Sequence, residues 1–346
     1  MSRISRRNFL KISTMATAGV CFGLPNGTQS FIEHQEAVHS KYAMGRILYE
    51  GTQSFQEPCE RSKIINSYAV NDVVDLLDPI VIASERLQTE TWYQLPDGSF
   101  LKSTNFQPVH NKLNTPLIEI PKNGLLAEIS VPFTTAFHDK KNIRKPDEVF
   151  YYGSLHWIYG LGIGSDDRYY YLVREDRWGD GYYVDATHMH VFAEEELAPI
   201  SPDVKPQDKR IEVSLRDQIV MAYTGDDLVF LSAMASGMRT DEKDLSTPPG
   251  RYKITYKRPS RHMAHSDLVG STNSPLFGVP WVAYFTSSGI AFHGTYWHNE
   301  FNHPRSHGCI NLPIPAARWI YLWALPVVPA KEKTYVSNYG TSVEVI

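Results

Sequence analysis

The chain is poor in cysteine, with three in 346 residues, and neither sign of charge dominates: 34 Lys and Arg face 38 Asp and Glu, a formal net charge of -4. So few cysteines exclude a disulfide scaffold, and a chain long enough for two or three domains buries sufficient core without one. The near balance of charge gives no electrostatic footing for nucleic acid as a partner. Long apolar runs are missing as well. The uncharged stretch from Ile12 to Leu24 falls short of the roughly 20 residues that span a bilayer. Aromatic residues are plentiful by contrast, with 20 Tyr, 15 Phe and 7 Trp. That set suits β-rich domains and grooves for glycan or peptide, although a core role is the more ordinary one for any single ring.

The short apolar stretch has a different use. It follows Ser5-Arg6-Arg7-Asn8-Phe9-Leu10-Lys11, a twin-arginine pattern, and together they read as an export signal. Residues 1–33 are assigned to this signal and the start of a polar linker that runs to about residue 44. Export places the mature protein outside the cytoplasm, in the periplasm or cell wall, touching a membrane only through the signal. Cys21 lies inside the signal, and Val20 is too bulky beside it for a lipoprotein site. Cys59 and Cys309 remain, and Cys59 is read as structural or incidental.

Two segments resemble each other at an offset of about 83 residues. Asp97-Gly98-Ser99-Phe100-Leu101-Lys102 aligns with Asp180-Gly181-Tyr182-Tyr183-Val184-Asp185, and Thr52-Gln53-Ser54-Phe55 aligns loosely with Thr134-Thr135-Ala136-Phe137. Asp-Gly between apolar runs signals a hairpin, because glycine tolerates positive φ. Two readings are open: two small β-barrels over 45–110 and 125–195, similar to bacterial SH3-like domains, or a single irregular β domain. Past the proline-bearing bridge Ala198–Pro206 the pattern becomes a clean alternation. Ile211, Val213 and Leu215 oppose Glu212, Ser214 and Arg216, then Ile219–Tyr223, Leu228–Met234 and Arg251–Tyr256 follow as strands. Pro313 and Pro315 open a helix with apolar positions Ala316, Trp319, Ile320 and Trp323, and Thr341–Ile346 closes as a strand.

The chemistry concentrates in one segment. His293-Gly294-Thr295 is followed by Ser306-His307-Gly308-Cys309-Ile310-Asn311, which sets a cysteine in a glycine turn with histidines nearby. A thiol needs a base to become nucleophilic, and the base needs an orienting group. This stretch can supply all three, and an ion-paired thiolate and imidazolium is one way for it to rest. A metal is the rival use of His293, His298, His303 and His307. Gly294, Pro304 and Gly308 prevent one continuous helix with paired histidines, and no second cysteine stands near Cys309, so no metal is expected. His298 and His303 are read as rim or packing residues.

With Ser236-Gly237 and the turn Thr247-Pro248-Pro249-Gly250, these elements resemble the L,D-transpeptidase (YkuD-type) catalytic domain over about 209–346. The resemblance implies a mainly β fold, a β-rich catalytic sandwich preceded by the one or two SH3-like barrels. It implies Cys309 as nucleophile, His293 as base and the Gly294 carbonyl as its orienting group. Ser306 and His307 would shape the site, and backbone N–H groups around Gly308 and Cys309 would form an oxyanion hole. Asn311 stands where many family members carry arginine and is a candidate for substrate binding. Tyr284, on the strand Trp281–Phe285, lines the donor site or belongs to the core. The implied partners are peptidoglycan stem peptides, with carbapenem-type β-lactams as inhibitors and no cofactor. The acyl acceptor stays open between a stem-peptide amine, water (an L,D-carboxypeptidase) and a protein lysine. A non-catalytic wall-binding protein and a metal-dependent hydrolase are the readings from other classes.

Replacing Arg6 and Arg7 with Lys is expected to strand the precursor in the cytoplasm, read by cell fractionation. Unchanged export would point to another secretion route.

Overall fold

The computed structural model describes residues 44–83, 89–143, 145–241, 243–263 and 275–346. The export segment, with Arg6, Arg7 and Cys21, lies outside them. The described residues are mainly β.

The C-terminal part is built from two five-stranded sheets. In the first, the order is Asp227–Ala233, Ile219–Thr224, Lys209–Ser214, Ser342–Val345, Gly250–Lys253. Alternation along Lys209–Ser214 buries Ile211 and Val213, and the chain's last strand pairs parallel with it. The second sheet runs Ile310–Leu312, Ala291–Gly294, Leu276–Tyr284, Tyr256–Met263, Tyr335–Val336. The run expected as one strand over Arg251–Tyr256 divides at Ile254-Thr255, where the chain passes from the first sheet to the second. Ile211, Val213, Phe230 and Val345 from one sheet meet Ala283, Phe292, Ile310 and Leu312 from the other in a single core. Burying each such side chain contributes about 1.5–3 kcal/mol.

The helix Ile314–Trp323 completes this core with Ala316, Ala317, Ile320 and Trp323. Proline suits its first turn, where the N–H groups have no helical acceptor. Carbonyls at and beyond its C-terminal end are met by a buried lysine: Lys257 Nζ donates to Ala324 O at 2.7 Å and Pro326 O at 2.8 Å.

The N-terminal segments form separate sheets. Residues 44–109 give a three-stranded and a five-stranded sheet, and 125–191 give a seven-stranded one. In the seven-stranded sheet the order runs from Glu148–Tyr151 to Met189–Val191, and the described ladders do not join those outer strands. The 83-residue offset reappears as a shared unit. Phe100–Lys102, a 3-10 turn at Ser103–Asn105 and Phe106–Val109 match Gly181–Asp185, a 3-10 turn at Ala186–His188 and Met189–Val191. The turn glycines differ. Gly98 has φ +84 as its Asp-Gly pair suggests, but in the second unit the left-handed residue is Gly179 (φ +82), and Gly181 already begins the strand.

Both segments dock on the C-terminal part. Leu126, Leu155, Trp157 and Phe192 of the second segment enter the same core as the sandwich. The approach is close at Gly278, whose φ is +63 and where a Cβ would stand 2.6 Å from Leu155 O. The first segment docks through Arg46, which is 3% exposed. Its guanidinium donates to Gln107 Oε1 (2.8 Å), Asn71 Oδ1 (2.8 Å) and Tyr296 O (2.6 Å), and lies 4.3 Å from the centre of the Tyr151 ring. One buried cation thus joins both N-terminal segments to the loop that follows His293. Arg46→Leu leaves those oxygens without a donor and is expected to lower stability by roughly 2–4 kcal/mol in thermal or urea unfolding. A loss below about 0.5 kcal/mol, the scale of an ordinary surface change, would show that Arg46 does not hold the segments together.

Candidate active site

The site is positioned by two short strands. Ala291–Gly294 pairs parallel with Ile310–Leu312, with Phe292 beside Ile310 and His293 beside Asn311. Side chains alternate along each strand. Phe292, Ile310 and Leu312 point into the sandwich core, whereas Ala291 and Cys309 pack in a second cluster with Tyr284 on the opposite face. His293 and Asn311 share that opposite face by register. Cys309, His293, Asn311 and Tyr284 are therefore brought together, although they come from three segments of chain. Tyr284 pairs with Ala291. Burial is the main force raising its phenol to about 12, and a neighbouring Cys309 adds to the rise.

The cysteine turn is held on every side. Ser306 Oγ accepts from Gly308 N–H at 3.2 Å and donates to Cys309 O, closing the turn on itself. Gly308 has φ +117, in a region open to glycine. The Gly308 N–H, expected to face an oxyanion, is thus engaged by the Ser306 hydroxyl and serves the turn. Thr247 Oγ1 accepts from Gly237 N–H (2.9 Å) and donates to Gly308 O (2.8 Å). Ser236 O accepts from Arg305 N–H and Ser306 N–H, both at 2.9 Å, and Ala235 exchanges two hydrogen bonds with Asn311. Cys309 Sγ is 3.9 Å from Gly289 O. His307 is half-buried, and its Nε2 has no protein partner. Its pKa is lowered by burial and then by Lys243.

His293 is buried, and its Nδ1 stands 3.1 Å from Gly294 O. Only a protonated Nδ1 can donate to a carbonyl, so a neutral ring keeps its lone pair on Nε2. Burial pushes the ring down to about 4, offset in part by that hydrogen bond. At neutral pH it is an uncharged base. The dry surroundings of His293 disfavour imidazolium.

His298 and His303 separate in space. His303 is exposed and faces Glu300 Oε2 at 3.4 Å. His298 is 2% exposed and meets Asn311 across 2.9 Å, which places it among packing residues rather than on the rim. Among the described residues, no group of three or more His, Cys, Asp or Glu side chains could hold a metal ion. Cys59 is exposed and unbridged to Cys309. No motif or spacing along the chain points to Arg46, Tyr49 or Glu300 near the site. Thr247 was visible only as part of a turn, though a threonine before Pro-Pro-Gly was the available hint.

Comparison with known proteins bears on this geometry. Residues 208–345 match the family model of the YkuD L,D-transpeptidase catalytic domain. This part of the chain is similar to L,D-transpeptidase catalytic domains. A curated relative is the putative L,D-transpeptidase YciB of Bacillus subtilis (strain 168), 24% identical over 130 residues, which are 35% of this chain and 63% of that protein. The chain thus spans less than two thirds of that relative's length. Among solved structures, an L,D-transpeptidase from Mycobacterium smegmatis is 15% identical over 51% of this chain and 77% of that one, with a TM-score of 0.32. The Enterococcus faecium catalytic domain acylated by ertapenem is 22% identical, over 40% and 97% of the two chains, with a TM-score of 0.29.

Three buried histidines make acid stability a test of this electrostatics. Burial holds His293 near 4, and His156 and His298 near 3, against an ordinary value of 6.5. As pH falls below 6.5 the unfolded chain takes up protons that the folded one refuses, so stability drops until the pH passes the folded values. Each ring contributes up to about 1.4 kcal/mol per pH unit within that window. His298→Gln removes one of the three and should flatten the fall of the unfolding midpoint. An unchanged slope would mean that His298 is protonated in the fold.

Proposed function

We propose that this protein is an exported peptidoglycan L,D-transpeptidase that works through an acyl-enzyme on Cys309. The observation that carries the reading is the shared sheet face of Cys309 and His293 inside the matched domain, with the Gly294 carbonyl fixing which imidazole nitrogen is basic.

In this reading the Cys309 sulfur attacks the carbonyl of the third, diamino residue of a tetrapeptide stem. His293 Nε2, the basic nitrogen of the neutral ring, takes the thiol proton as the S–C bond forms. The tetrahedral intermediate then collapses, the C–N bond to the terminal D-alanine breaks, and His293 returns the proton to the departing amine. An amine of a neighbouring stem attacks the thioester and regenerates the thiol, giving a 3→3 crosslink and ping-pong kinetics. Neither metal nor cofactor enters these steps. The twin-arginine segment delivers the enzyme across the membrane. The two N-terminal segments act as SH3-like units that position it at the wall, a role supported by their repeated strand, 3-10 turn and strand.

Tetrapeptide stems incubated with the purified protein should yield crosslinked dimers and free D-alanine by mass spectrometry. Cys309→Ala should abolish turnover, and His293→Ala should reduce it by about 10²–10⁴-fold, the range for loss of a general base. A carbapenem should add covalently to Cys309. Turnover retained by Cys309→Ala and sensitive to chelators would overturn the assignment in favour of metal chemistry.

A further inference from the structure

The connection between the two site strands carries a chain of hydrogen bonds that leads out to the first N-terminal segment. His298 Nδ1 accepts from the backbone N–H of Glu300 at 3.3 Å. A nitrogen that accepts carries no proton, so the proton of a neutral His298 sits on Nε2 and must find an acceptor. Facing it at 2.9 Å is the carboxamide of Asn311, a residue 4% exposed. With Nδ2 turned toward Nε2, two donors confront each other and the buried Asn311 Oδ1 has no partner. Oxygen and nitrogen of an amide have nearly the same shape, and hydrogen bonding decides between its two orientations. Half a turn puts Oδ1 on His298 Nε2–H. The NH2 then takes the enclosed position that Oδ1 vacates, two residues beyond Cys309 on the strand that pairs with the His293 strand.

The outer end of the chain is equally defined. The Glu300 carboxylate accepts from Tyr49 O–H at 2.6 Å and from Arg305 Nη1 at 2.7 Å. Arg305 Nη2 also donates to the Tyr49 oxygen at 3.1 Å, and Asn299 Nδ2 donates to Ser103 O at 2.8 Å. Tyr49 and Ser103 both belong to the first N-terminal segment, so that segment fixes the position of the Glu300 backbone.

We propose that the first N-terminal segment is a positioning element for acyl transfer: Tyr49 holds Glu300, Glu300 holds His298, and His298 holds the buried Asn311 carboxamide, which fixes the strand that follows Cys309 beside His293. The proposal rests on the acyl-transfer reading above, with all four residues acting through the position of Cys309. It gives the docked segment a role in the reaction in addition to any role in wall binding.

Two measurements on the full-length protein test it. The first is the tautomer of His298, read by ¹⁵N NMR on histidine-labelled protein and assigned by its loss in His298→Gln. The Nε2–H form is expected, and an Nδ1–H or doubly protonated ring would overturn the relay. The second is the rate of carbapenem acylation at Cys309, with iodoacetamide alkylation as a control for the thiol itself. Tyr49→Phe should slow acylation by about ten-fold, the scale of one hydrogen bond to a charged group. His298→Leu should slow it more, and His298→Gln, whose amide can still donate to Asn311 Oδ1, should recover most of the rate. Alkylation should stay within about two-fold in all three, since none is the base that serves the thiol. Acylation by His298→Leu at the parent rate, or glutamine no better than leucine, would sink the proposal. A parent protein with the expected tautomer but no acylation would instead refute the transpeptidase reading and leave the hydrogen-bond chain standing.

Discussion

The parallel pairing of Ala291–Gly294 with Ile310–Leu312 is the constraint on which the site depends. Parallel neighbours cannot be joined by a tight hairpin, so the chain needs a crossover between them. Here the crossover is Thr295–Cys309, which carries His298, Glu300, Arg305 and the cysteine turn. The geometry of Cys309 against His293 is therefore only as good as the hold on that crossover. Thr247, Ser236 and Ser306 hold its end, and Arg46 and Tyr49 hold its beginning and middle.

That arrangement gives the N-terminal segments a structural reason to exist beyond binding. Arg46 is buried, and among the described residues its charge rests on amide and carbonyl oxygens and the face of Tyr151. Burial lowers its pKa to about 10, which still leaves it charged at neutral pH. Oxygen acceptors placed around a buried cation define its position closely, because each lost contact leaves a desolvated polar group. Lys257 at the end of the helix is likewise buried among oxygen acceptors, where its amine gathers carbonyls.

Burial also sets the acid–base character of the site. His293 and His298 are both kept neutral by desolvation, yet for different ends. The Nδ1 of His293 faces a carbonyl, which leaves Nε2 basic, whereas that of His298 accepts an N–H, which leaves Nε2 a donor. Two histidines five residues apart thus hold opposite tautomer requirements on their outward nitrogens, fixed entirely by the backbone groups they meet.

The sequence by itself determined what is local. The glycine turn around Cys309, the strand alternation at Ile211 and Val213 and the proline-led helix all rest on neighbours close in sequence. Each leaves a period or a turn residue that can be read along the chain. The tertiary structure alone decided that His298 is buried while His303 is exposed, that Gly308 N–H is engaged by Ser306, and that Tyr49 and Arg46 reach the crossover. Tyr49 and Glu300 are 251 positions apart, and Arg46 and Tyr296 are 250 apart. Contacts at that separation impose no periodicity on either segment, and desolvation depends on what packs around a ring rather than on its place in the chain.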